Sequence, residues 1–198
     1  MKVRPASRPD IPAILGCVRR IKNEYFEAKN IDQWGEGYPS REIFAEDVDK
    51  KALYVMYMGE VLVGFGSFII GADPTYSEIE GAWKTEGENY LVVHRFGINP
   101  DWHGMGFGKA LMGLADKICE VKKIPSIRVD THEDNIGMQK LLEKCGFEKC
   151  GIIHLENGDP RVAYENGFGN KETVSYCGYR RKPIFQRTDN ELFRRSYR

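Results

Sequence analysis

The chain has no excess charge of either sign: 29 Lys and Arg balance 29 Asp and Glu. A dedicated nucleic-acid binder is normally basic, so no nucleic-acid partner is expected. Long apolar runs are missing too. None approaches the ~20 residues of a membrane-spanning helix. Met1-Lys2-Val3-Arg4-Pro5 lacks the apolar stretch of a signal peptide. The expectation is a cytoplasmic protein with no membrane partner. Cysteine is present without a pairing pattern: five residues, at 17, 119, 145, 150 and 177, and no Cys-x-x-Cys. An odd, scattered set reads as reduced, mostly buried thiols rather than a disulfide framework. Cys145, Cys150 and His154 match no metal-ligand spacing, and no metal is expected. Internal repeats are absent, as is any linker that would split residues 1–165.

What remains is ordinary for one globular domain: 198 residues, 41% hydrophobic and 29% charged. The charge balances only in sum, because residues 166–198 hold eight Lys or Arg and three Asp or Glu. This reads as a basic C-terminal extension, of open role, on a domain spanning 1–165.

Elements follow in order. Ser7-Arg8-Pro9-Asp10 has the cap, the early proline and the acid of a helix start. Ile11, Ile14, Leu15, Val18, Ile21 and Tyr25 then recur at threes and fours, predicting one apolar helix face. Residues 30–39 form a glycine-bearing loop, and Ser40 caps a second helix over 41–49. Residues 51–58 and 61–70 flank Gly59-Glu60 as a β-hairpin. Residues 71–89 make a long polar loop, either functional or mobile, or a surface loop whose aromatics pack on its own base. A strand over 90–98, a helix from about 106 to 122, a strand over 127–132, a helix to Lys144 and two final strands complete the chain. Early antiparallel strands followed by a β-α-β crossover predict an α/β (α+β) fold. Its sheet is mixed, mostly antiparallel, with helices on both faces.

The densest chemical signal is His94 to Lys109. A strand ends at Ile98-Asn99-Pro100, and Gly104, Gly106 and Gly108 lead straight into a helix. The first N–H groups of a helix have no internal partner and carry partial positive charge, so strand, glycine loop and helix form an anion cradle. A Walker loop is excluded: the spacing is one residue short, and Ala110 follows Lys109 where a magnesium-binding hydroxyl belongs. A dinucleotide fingerprint needs G-x-G-x-x-G, and this is G-x-G-x-G.

His103-Gly104-Met105-Gly106-Phe107-Gly108 resembles the [QR]-x-x-G-x-[GA] loop of the GNAT superfamily of acyl-CoA-dependent N-acyltransferases. Asn135, and Leu141-Leu142-Glu143-Lys144-Cys145-Gly146-Phe147 ending the following helix, extend the resemblance from Val3 to Glu165. The resemblance implies an acetyl-CoA-dependent N-acetyltransferase in which an amine of a small molecule or peptide attacks the thioester directly in a ternary complex. It places the cofactor's pyrophosphate on His103, Gly104, Met105, Gly106, Phe107, Gly108 and Lys109. The pantetheine arm then lies along Phe96, Gly97 and Ile98, with Asn135 touching it. Strands 94–98 and 127–131 must splay apart to admit that arm.

Two residues can serve as the base. His94 and Asp130 stand where different family members keep a Glu. The family's thiolate-protonating Tyr, seven residues after the Asn, is Leu142 here. Tyr164, Tyr90 and Cys145 are the substitutes considered, beside departure of CoA as thiolate. Trp34, Tyr38, Tyr76 and Trp83 are expected to line an acceptor pocket. Asp32, Glu36, Glu78 and Glu80 are expected to attract a cationic amine. The missing Tyr leaves a second reading open, a catalytically weak GNAT-like module that binds CoA or another protein. Oligomeric state is open, a homodimer included.

Overall fold

The computed structural model describes residues 1–168; the basic extension expected beyond 165 lies almost wholly outside them. The strands are β1 (Lys2–Pro5), β2 (Leu53–Met58), β3 (Val61–Ile70), β4 (Glu80–Gly81), β5 (Leu91–Ile98), β6 (Ser126–Thr131), β7 (Glu148–His154) and β8 (Pro160–Gly167). The helices are α1 (Ile11–Arg20), α2 (Glu27–Lys29), α3 (Arg41–Asp49), α4 (Phe107–Lys122) and α5 (Ile136–Lys144). One sheet runs β1-β2-β3-β5-β6-β8-β7-β4. Every described pairing is antiparallel except β5 with β6. This is the mixed, mostly antiparallel sheet expected. The last strand ends at Gly167, two residues past the expected domain edge, and the Phe168 N–H still bonds the Pro125 carbonyl at 2.7 Å.

Alternation along the strands sends side chains to two cores. On one face Leu111, Leu114, Ala115 and Ile118 of α4 meet Val93, Ile127 and Val129. On the other, Ile11, Ile14, Cys17 and Val18 of α1 and Phe44 of α3 meet Leu53, Val55 and Phe65. The predicted apolar stripe of the first helix is present, with one correction. Residues Ile21–Phe26 form a π-helical turn between α1 and α2. Its wider winding rotates the stripe, so Phe26 is buried in the core and Tyr25 packs at its margin, partly buried.

Loop 71–89 is neither free nor structureless. Tyr76 and Trp83 pack against each other at 5.2 Å between ring centroids, over Val92 and Ala163. The loop contributes β4, which pairs with β7. Glu165, 1% exposed, accepts from the Thr85 backbone N–H and hydroxyl and from Arg128. The loop packing its aromatics on its own base is therefore what the fold adopts.

The feature that shapes the site is a fault in the sheet. Strands β5 and β6 pair only at Leu91–Ile127 and Val92–Arg128. Beyond those positions they diverge, and among the described residues Val93 to Ile98 have no strand partner on that side. The expected splay therefore begins only after Val92 and Arg128. On its other edge β5 carries a bulge: Phe65 faces Gly97 and Ser67 faces His94, so two steps on β3 oppose three on β5. The extra residue is absorbed at Arg95, φ 48°. Its guanidinium holds that conformation with two bonds to Asp47, 2.7 and 2.8 Å, and Asp47 also accepts from Ser67 at 2.6 Å.

Gly97 fits this corner by size. A Cβ there would lie 2.7 Å from Ile21 Cδ1 and 2.8 Å from Phe65 Cζ. Gly97→Ala is expected to destabilise the protein by about 1–3 kcal/mol through overpacking. Urea unfolding checks this; a midpoint equal to the parent's would contradict it.

Candidate functional site

The parted strands open into one continuous cavity of about 1360 Å³. Small-molecule pockets are commonly about 300–1,000 Å³, so this space suits two ligands or one long one. One wall is the glycine loop and the starts of α4 and α5. Gly104 and Gly106 sit at φ 75° and 85°, and a Cβ on either would meet nothing. They are glycine for backbone conformation. Gly108 is glycine for space, since a Cβ would lie 3.1 Å from Leu141 of α5. Gly106 is the cap residue of the 16-residue α4 and has no side chain to occupy the first N–H groups, which leaves them able to take an anion.

Arg20 locks this loop to α1. It bonds Asn99 at 2.9 Å, both oxygens of Asp101 at 2.8 Å, and Glu24 at 2.7 and 2.8 Å. Asn99 in turn holds the Leu62 carbonyl at 3.1 Å.

Of the residues expected to hold the cofactor, Phe96, Gly97, Ile98, His103, Gly104, Gly106, Phe107, Gly108, Lys109 and Asn135 all line the cavity. Met105 does not; it stands at the loop tip, 64% exposed. His103 points inward, Nε2 donating to the Ile98 carbonyl at 2.8 Å. Asn135 caps α5 by accepting from the Met138 N–H at 3.1 Å, and its amide donates to Gln33 at 2.6 Å. Cap and cavity residue thus coincide in one side chain. Lys140 and Lys144 of α5 join Lys109 on the cavity wall. Sequence reading passed over these two, although their spacing of four on the helix that follows Asn135 was a usable signal.

The expected acceptor residues divide. Trp34 and Tyr38 line the cavity, Trp34 stacked edge-on to Phe26 at 5.4 Å. Tyr76 and Trp83 do not line it. Tyr76 is 2% exposed and lies beneath the surface, and Trp83 donates to its carbonyl at 3.1 Å. Both anchor loop 71–89, whose own packing consumes them. Asp32 faces the cavity; Glu36, Glu78 and Glu80 do not, and Glu80 pairs with His154 at 2.8 Å. Among the described residues, no group of three or more His, Cys, Asp and Glu is placed to hold a metal.

Both candidate bases line the cavity. They differ in their partners. His94 Nε2 lies 2.7 Å from Asp73 Oδ2, and Asp73 also accepts from the Thr75 N–H at 2.9 Å. Burial pushes the Asp73 carboxyl up, but the bond and charge of His94 and the bonds from Thr75 outweigh it and bring it down to about 2. The imidazole is therefore oriented by a carboxylate that stays ionised through the neutral range. Asp130 instead accepts from the Tyr76 hydroxyl at 2.7 Å. Asp73, on the long loop, was missed; only its helix-capping context before Pro74 marked it.

Leu142 is fully buried in the α4 core and offers no proton. Tyr164, Tyr90 and Cys145 do not line the cavity, whereas Tyr25 does. Its hydroxyl lies 3.3 Å from Asn135 Oδ1 and takes the space a Cβ on Gly137 would fill. The rotated π turn is what delivers it there.

Comparison with known proteins gives the family and the fold. The family model described as "Acetyltransferase (GNAT) family" matches residues 18–147, and the chain belongs to that family. A GNAT-family acetyltransferase from Streptococcus agalactiae 2603 is similar in structure, with TM-score 0.75, 30% identity, and 84% of this chain and 94% of that one covered. An N-acetyltransferase from Thermoplasma acidophilum, solved in complex with coenzyme A, shares the fold at TM-score 0.61 and 16% identity, covering 84% and 98% of the two chains. A mycothiol acetyltransferase from Nocardiopsis dassonvillei is 30% identical over 73 residues, 37% of this chain and 22% of that protein. The match thus spans about a fifth of that relative's length.

The Asp73 carboxyl carries a checkable consequence. Its folded value lies below its ordinary 3.8, so the stabilisation is present above about pH 4 and is lost as pH falls toward 2. Asp73→Asn is expected to lose less stability than the parent between pH 5 and 2.5 in denaturant titrations. Parallel losses would contradict the assignment.

Proposed function

We propose that the protein transfers an acetyl group from acetyl-CoA to a primary amine of a small molecule or peptide, by direct attack in a ternary complex. The observation that carries this reading is one cavity joining the glycine cradle of α4 to the His94–Asp73 pair through the unpaired edge of β5. The edge of β5 turned away from β3 has no strand partner past Val92 among the described residues, so its backbone groups up to Gly97 can bond an extended arm as a neighbouring strand would, while His103 holds the Ile98 carbonyl. The charge layout supports two unlike ligands. Lys109, Lys140 and Lys144 flank the cradle, whereas Asp73, Asp130 and Asp159 stand at the other strands and turns.

In this reading His94, held by Asp73, takes the proton that a protonated amine must lose before it attacks. N–H groups at the bulge of β5 meet the negative charge that develops on the thioester carbonyl. The thiolate leaves with a proton from Tyr25 or without one. Asp130 shapes the acceptor side and helps hold a cationic amine.

The test uses the full chain with acetyl-CoA and a panel of amines, following free thiol, and CoA-dependent thermal protection in parallel. Turnover with protection supports the proposal. Protection without turnover on any amine favours a binding module, for which Leu142 speaks. No protection sinks both. His94→Ala is expected to lower kcat by roughly 10²–10³-fold while CoA protection persists, and Asp130→Asn to lower it less. The reverse order would move the base to Asp130.

A further inference from the structure

The acceptor side of the cavity contains one guanidinium that the fold does not use up. Arg95, Arg128 and Arg161 are all close to buried, with 12%, 5% and 8% of the side chain exposed. Arg95 is satisfied by Asp47. Arg128 bonds Glu165 at 3.2 Å and the Thr85 carbonyl at 2.8 Å, and lies 4.0 and 4.3 Å from the ring centres of Tyr90 and Trp83. Arg161 differs. It donates to the Pro160 carbonyl at 2.8 Å, but the one acidic group within 4 Å of it among the described residues, Asp159, is 3.7 Å away, beyond hydrogen-bond range. That carboxylate is half exposed and already accepts from Asn157 at 2.8 Å. Among the described residues, then, a permanently charged fork faces the cavity without a hydrogen-bonded anion. No buried side-chain nitrogen among the described residues lacks a partner, so the guanidinium atoms not bonded to protein open on the cavity, where an anionic ligand group can complete them.

Its position gives the ligand a shape. Asp130 pairs with Ala163, so Arg161, two residues along β8, presents to the same sheet face. His94 stands on β5, on the far side of β6. Two strand spacings separate His94 from Arg161, roughly 10 Å before the splay is added. Resting on the acetyl-transfer reading, we propose that Arg161 binds a carboxylate of the acceptor, which makes the substrate an amino carboxylate whose two groups lie several bonds apart, an ω-amino acid or a short peptide. Asp130, Glu156 and Asp159 also line the cavity, and their repulsion weighs about twice as heavily on a doubly charged phosphate as on a singly charged carboxylate.

The test pairs acceptors that differ only in the carboxylate: 5-aminopentanoate against pentylamine, and glycylglycine against its amide. Free thiol is followed with the full chain and acetyl-CoA. The carboxylate member of each pair is expected to show at least about tenfold higher kcat/KM. Arg161→Gln is expected to erase the preference, chiefly through a KM rise of roughly 10–100-fold, and Arg161→Lys to restore part of it. CoA-dependent thermal protection of each variant reports an intact fold. Equal kcat/KM within both pairs, or an Arg161→Gln loss shared by both members, overturns the proposal while leaving acetyl transfer standing. If no amine turns over, calorimetry of 5-aminopentanoate on CoA-loaded protein decides the subsite by itself. Binding that Arg161→Gln abolishes supports it, and no binding to the parent overturns it.

Discussion

The parting of β5 from β6 depends on a buried ion pair some distance along the chain. Arg95 occupies a left-handed conformation that an arginine adopts at a cost of about 1–3 kcal/mol. Asp47 of α3 makes that conformation tenable with two charge-assisted bonds and keeps Ser67 in place beneath it. With the bulge fixed, β5 turns away from β6 after only two paired residues. The cavity, its unpaired backbone edge and the placement of His94 all follow. Breaking one partner of such a pair leaves an uncompensated charge in the interior, so α3 supports the site without touching it.

Around that opening, each wall is made by a different device. The glycine loop is shaped by backbone conformation at Gly104 and Gly106 and by close packing at Gly108. Helix α1 is tied to it through Arg20 and Asp101. The π turn changes which residues of the first helix face inward. Loop 71–89 is held by the Glu165 network and by its own aromatics, and it presents Asp73 to His94. None of these devices is a regular element, yet together they place the chemical groups.

How much was legible in the sequence follows from the range of the interactions. The glycine loop, the strand before it and the Asn135 cap were readable, because each is set by residues within a few positions. The sheet class was readable from alternation and from the order of elements. The π turn was not: its residues keep the three-and-four spacing of an α-helix, so Tyr25 was read as core. The His94–Asp73 pair joins residues 21 apart, and the Tyr25–Asn135 contact residues 110 apart. Such pairs leave no local spacing to find. Tyr76 and Trp83 were misread for the same reason, since aromatic residues in a long loop look alike whether they line a pocket or fasten the loop.

Strand β4 has an outcome at the rim of the sheet. It covers β7 at two residues only, and the uncovered part of β7 presents Glu148, Lys149 and His154. At the opposite rim β1 is four residues long, starting with Lys2 and ending with Pro5. Short, charged and proline-bearing margins give a second molecule little backbone on which to extend the ladder. Strand-to-strand templating between copies is thereby discouraged along the described margins, and any self-association there must rely on side-chain surfaces.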